Sequence, residues 1–119
     1  MFYDVSNYIN GYHSNMESIV RNFATDLLRH RRYNYSQEPL EEFLLVNSDI
    51  DHHNFRILNE KGYLLDTLIL KREENTTCIL YAHGLGSNKL EALWIAKYFL
   101  RQRCDVCSFD FSGSGRSEG

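Results

Sequence analysis

Apolar residues recur along this chain at two different periods, and the change of period divides it into segments. From Ser14 to Leu28 the spacing is helical, with Met16, Ile19, Val20, Phe23, Leu27 and Leu28 on one face. Ser14 and Glu17 have the spacing of a capping box, in which each side chain satisfies a free N–H of the first turn. The run Arg29-His30-Arg31-Arg32 suits the negative end of that helix. Residues 1 to 13, rich in Tyr and Asn, show no period. The stretch from Tyr33 to Glu42 contains the only proline, Pro39, and reads as a connector.

The period then shortens. Phe55-Arg56-Ile57-Leu58 alternates as a half-buried strand does, Glu60-Lys61-Gly62 can turn the chain, and Tyr63 to Leu70 resumes the apolar run. Together they predict an antiparallel hairpin. Cys78 to Ala82 is continuously apolar, the pattern of a strand buried on both faces in a parallel sheet. Asn88 can cap a following helix, with Glu91 at capping-box spacing. Ala92, Leu93, Ala96, Phe99 and Leu100 form its inner face; Lys89, Lys97 and Arg101 lie away from it. Tyr81 and Trp94 read as core. A second buried strand runs from Asp105 to Phe111, and Ser112 to Gly119 reads as a flexible loop. The fold class is α/β: a helical N-terminal segment over residues 1–50, then a β-hairpin and a βαβ unit over residues 51–119.

Composition narrows the partners. The chain has 119 residues, 43% hydrophobic and 24% charged, which fits one small globular domain. A net charge of -3 offers no pull toward nucleic acid. No apolar run is long enough for a transmembrane segment, and the start, Met1-Phe2-Tyr3-Asp4, is not a secretory signal. Three cysteines argue against a disulfide framework. These features together predict a cytoplasmic protein, and the sequons Asn34-Tyr35-Ser36 and Asn75-Thr76-Thr77 read as chance matches. Cys104-x-x-Cys107 enters a strand rather than a helix, so it reads as packed thiols. Asp49, Asp51, His52 and His53 read as a polar loop, and no metal site is expected. Neither Gly84 to Lys89 nor Gly113-x-Gly115 completes a phosphate-binding pattern.

The candidate chemistry lies where ligands bind in α/β sheets, beyond the carboxyl ends of the strands. His83-Gly84-Leu85-Gly86-Ser87 ends one strand, and Asp110-Phe111-Ser112-Gly113-Ser114-Gly115-Arg116-Ser117 ends the next. Together with the hairpin Asn59-Glu60-Lys61-Gly62-Tyr63-Leu64, these segments resemble the α/β-hydrolase superfamily, with most likeness to its serine aminopeptidase S33-like and monoacylglycerol-lipase-like members. The resemblance covers residues 54 to 119.

The resemblance implies hydrolysis of an ester or peptide bond of a small-molecule substrate through an acyl-enzyme, without metal or cofactor. It makes the backbone N–H of Leu85 one of two oxyanion donors. His83, Gly84, Gly86 and Ser87 would shape that loop, and Asp110, Gly113, Gly115 and Ser117 would form a loop beside the active site. In the family the Gly-x-Ser-x-Gly nucleophile elbow comes on the next strand, and the Asp and His of the triad follow. Residues 51–119 therefore correspond to an incomplete domain that ends before the elbow. Gly115-Arg116-Ser117-Glu118-Gly119 matches the elbow formally, but no strand runs directly into Gly115. The expectation is an N-terminal hydrolase piece that is inactive alone. The alternative, of another class, is a non-catalytic binding or decoy module derived from such a hydrolase.

Overall fold

The computed structural model describes residues 13–28 and 34–119. The chain divides into two compact units, Met1–His30 and Arg31–Gly119. In the first, helix α1 spans His13–Leu28 and carries Met16, Ile19, Val20 and Phe23 at the expected spacing. It begins one residue before Ser14, so Ser14 lies inside the helix rather than at its cap. The basic run 29–32 and the aperiodic start of the chain, up to residue 12, lie outside the described residues.

The second unit opens with a helix where a connector was expected. Helix α2 spans Glu38–Val46, with Pro39 in its first turn. A missing N–H costs nothing there, because first-turn amides have no partner within the helix, so this proline starts a helix. Ser36 Oγ accepts the Glu38 amide at 3.0 Å.

The sheet has strands β1 (Asp51–Leu58), β2 (Leu64–Lys71), β3 (Thr77–Ala82) and β4 (Cys104–Phe109), in the order β1-β2-β4-β3. The hairpin and the parallel pair are as expected: β1 and β2 are antiparallel, β2 and β4 antiparallel, β3 and β4 parallel. Asn59 organises the hairpin turn, its Oδ1 accepting the amides of Lys61 and Tyr63, and Gly62 takes a φ of 84°. A residue with a side chain would be strained at that φ.

Register assigns the two faces of the sheet. Leu68, Leu70 and Val106 share one face and pack with Leu40 of α2 and with Leu90, Ala92, Ala96 and Leu100 from the β3–β4 crossover. Burying each of these leucines is worth about 1.5–3 kcal/mol. The crossover is helix α3 (Leu93–Phe99) between two 3-10 turns, Lys89–Ala92 and Leu100–Gln102, rather than one regular helix.

The opposite face carries Phe55, Ile57 and Leu80, which are 40%, 48% and 67% exposed. Three expectations change with it. β1 is an exposed edge strand, not a half-buried one. It also includes Asp51, His52 and His53, which therefore do not form a loop. β3 is the other edge, so its continuous apolar run is not buried on both faces. Trp94 departs too: it is 82% exposed on α3, whereas Tyr81 packs against the core as expected.

The last segment is not a flexible loop. β2 pairs with β4 only over Thr67–Leu70, which leaves the backbone of Leu64 to Asp66 free on that side. Residues 110–118 take those positions. Asp110 N donates to Asp66 O at 2.9 Å, Glu118 N donates to Leu64 O at 2.9 Å, and Leu64 N donates to Glu118 Oε2 at 2.8 Å. Backbone groups that a ladder leaves unpaired must find partners somewhere, and this loop supplies them.

Candidate active-site loop

The segment after β3 makes a tight turn. Ser87 N donates to Gly84 O at 3.1 Å, and Gly86, the third residue, has a φ of 73°. That is the type II pattern, with Leu85 at the second position. The Leu85 side chain is 84% exposed. Among the described residues, neither the Leu85 nor the Gly86 amide has a hydrogen-bond partner. Both are available to an acceptor from outside.

The turn is clamped at both ends. Before it, His83 Nε2 accepts the Phe111 amide at 3.2 Å, which places the ring proton on Nδ1, where it is donated to Gly84 O at 2.8 Å. The ring also meets Phe111 edge-on at 4.8 Å. Both nitrogens of His83 are thus engaged, and it is buried. After the turn, Lys89 N donates to Asp110 Oδ1 at 2.7 Å. Asn88 caps the crossover as expected, its Oδ1 accepting Leu90 N at 2.9 Å. Glu91 does not complete the capping box. Its carboxylate reaches past the cap and accepts Gly84 N at 2.8 Å.

Asp110 is fully buried and holds the second clamp. Its Oδ2 accepts Tyr35 OH at 2.6 Å and Arg116 N at 3.0 Å. Gly115 has a φ of 50°, and a Cβ there would collide with the Asp110 carboxylate. Gly113, at a φ of 78°, has nothing so close. Ser117 is fully buried: its Oγ donates to Asp110 O at 2.5 Å and accepts Asp66 N at 2.8 Å. A hydroxyl so placed is a fastener with no path to a substrate. The structure therefore brings His83, Gly84, Leu85, Gly86 and Ser87 together with Asp110, Gly113, Gly115 and Ser117 at one end of the sheet.

Lys89, expected away from the inner face, is 1% exposed. Its Nζ donates to Tyr35 OH and to Asp66 Oδ2, both at 2.6 Å, and lies 3.7 Å from Asp110 Oδ2. A buried ammonium is tolerated only with such partners. Arg56 approaches Asp66 at 4.0 Å, and the Arg116 guanidinium lies 5.3 Å from the centre of the Tyr35 ring. Burial, and then the hydrogen bond to Asp110, push the Tyr35 phenol far above its ordinary value. Tyr35, Asp66, Lys89 and Glu91 are the residues that sequence reasoning missed. The available signal was Asp110 itself: an acidic residue at the end of a buried strand requires donors.

Among the described residues, no three His, Cys, Asp or Glu side chains group as metal ligands, and the three cysteines are free thiols. No described helix is long and apolar enough to cross a membrane.

No family model matches the sequence. An uncharacterized protein of Acanthamoeba polyphaga mimivirus is 33% identical over 67 residues, which are 56% of this chain and 22% of that protein. Among solved structures, the esterase Pf2001 of Pyrococcus furiosus superposes in several crystal forms. One form gives a TM-score of 0.53 at 18% identity, covering 77% of this chain and 34% of the esterase. A second gives 0.52 at 18% identity, covering 76% and 33%. The chain thus spans about a fifth of the viral relative and about a third of the esterase. What this likeness shows is the fold: a mixed α/β sheet with the architecture of part of an esterase.

Proposed function

We propose that this chain is the front part of a serine hydrolase, of the monoacylglycerol-lipase-like and serine aminopeptidase S33-like kind, and that it contributes one oxyanion donor, the backbone N–H of Leu85. The observation that carries the reading is the unpartnered Leu85 amide at the tip of a turn clamped on both sides. When a serine attacks an ester or amide carbonyl, the oxygen gains negative charge. A donor fixed in advance stabilises it without reorganising.

In this reading the nucleophile, the base and its partner Asp are not among residues 1–119. The buried Ser117 hydroxyl and the two engaged nitrogens of His83 support that assignment. A small ester or peptide substrate would meet the chain only at the turn. The sparse, unpaired thiols agree with a reducing cytosol.

Leu85→Pro tests the donor. The second position of a type II turn favours proline, so the substitution removes the N–H and keeps the turn. In the longest natural gene product containing these residues, we expect kcat for short-chain nitrophenyl esters to fall by about 10²–10³. Leu85→Ala should leave it within about threefold, since the amide remains. Residues 1–119 alone should not label with a fluorophosphonate. A labelled serine within them would overturn the assignment. Equal rates for Leu85→Pro and Leu85→Ala would overturn the donor.

A further inference from the structure

We propose that Tyr35 and Lys89 are positioning residues for the Gly84–Ser87 turn, coupling the segment ahead of α2 to the Leu85 amide. The proposal rests on the oxyanion reading for its function but not for its geometry.

Lys89 is held by its main chain and its side chain to the same group of residues. The backbone N–H binds Asp110 Oδ1, the carbonyl accepts Ser108 Oγ at 2.7 Å, and Nζ binds Tyr35 and Asp66. The ammonium and Asp110 Oδ2 are 3.7 Å apart, too far for a good direct hydrogen bond. The Tyr35 hydroxyl closes that gap, because it accepts from Nζ and donates to Oδ2. Asp110 is therefore oriented by Tyr35 on one oxygen and grips the end of the turn with the other. Tyr35 itself makes no hydrogen bond to the turn. Without its hydroxyl, Oδ2 keeps the Arg116 amide and the 3.7 Å ion pair to Nζ, and Nζ keeps Asp66 as its hydrogen-bonded partner. The carboxylate is then held less firmly and loosens its grip on Lys89 N, while the His83–Phe111 clamp remains.

The test is residue-resolved amide hydrogen exchange on this chain, comparing wild type with Tyr35→Phe, which removes only the hydroxyl. A local release speeds exchange at Ser87 and Lys89 by about tenfold relative to Leu70 and Val106 in the sheet. Lys97→Ala, which removes an exposed amine of α3 outside this cluster, should leave that ratio unchanged. Equal acceleration at all four amides would assign Tyr35 a merely stabilising role and overturn the proposal, as would no change at Ser87 and Lys89. Lys89→Met removes the ammonium. If it folds, it must reproduce the Tyr35→Phe pattern; a pattern centred elsewhere overturns the role of Lys89. If it does not fold, Lys89→Arg takes its place. That variant keeps the charge while altering the geometry, and it must also loosen Ser87.

The exchange readout needs no catalysis. If Leu85→Pro leaves ester hydrolysis intact while Tyr35→Phe still loosens the turn, the oxyanion reading fails and the positioning role stands. If Leu85→Pro abolishes hydrolysis and Tyr35→Phe leaves the turn unmoved, the reverse holds.

Discussion

Around the end of the sheet, one carboxylate specifies several individual residues. Asp110 accepts from Lys89, Tyr35 and Arg116, and the space beside it is open only because residue 115 lacks a side chain. Gly115→Ala meets two penalties, a left-handed φ and displacement of the buried carboxylate, so it should cost at least about 2 kcal/mol in chemical denaturation. Gly113→Ala meets the φ penalty alone and should cost about 1 kcal/mol. Equal costs at the two sites would mean that Asp110 is not held as described. The residues of the turn and loop were legible in the sequence, because glycines and an acid at a strand end form a local pattern. The partners of Asp110 were not. Tyr35, Asp66 and Lys89 lie far apart in sequence, and a lysine beside an apolar helix face has the same pattern whether it is solvated or paired inside.

Elements were legible where their period was clean. The hairpin follows from alternation, the parallel pair from short apolar runs, and the crossover from helical spacing. Two failures have separate causes. The stretch around Pro39 reads as a connector because the effect of a proline depends on where a helix starts, and Trp94 reads as core because an aromatic residue has no polar signature. β3 fails for another reason: its apolar run was read as sheet interior, whereas in this structure it is an edge beside an uncovered face. An exposed apolar edge invites pairing with another copy. Leu80→Lys, at a side chain 67% exposed, should reduce concentration-dependent self-association while changing unfolding free energy by no more than about 0.5 kcal/mol. Sedimentation velocity and urea titration read the two quantities. Unchanged association would exclude β3 as the contact.

At the scale of the whole molecule, half-buried protons contribute to the alkaline limit. Partial burial raises the thiol of Cys107 above its ordinary 9.0, and partial burial with the Asp110 contact raises Tyr35 above 10.0. The unfolded chain releases these protons first, so it binds fewer of them than the folded chain. Stability from these groups is complete below their unfolded values and declines as pH rises past them. The urea midpoint should fall between about pH 9 and pH 11, and Tyr35→Phe should flatten the upper part of that fall. A midpoint that holds level, or a variant with an unchanged slope, would contradict the burial of that phenol.

The placement of Lys89 also divides the chain's lysines into two chemical populations. Lys61, Lys71 and Lys97 are exposed, whereas the Lys89 ammonium is enclosed and hydrogen-bonded to a phenol and a carboxylate. An amine reacts only where the reagent can reach it, and at 1% exposure Lys89 is out of reach while the sheet end stays closed. Its reactivity belongs to the opened molecule, so one side chain records each breach of the site from within.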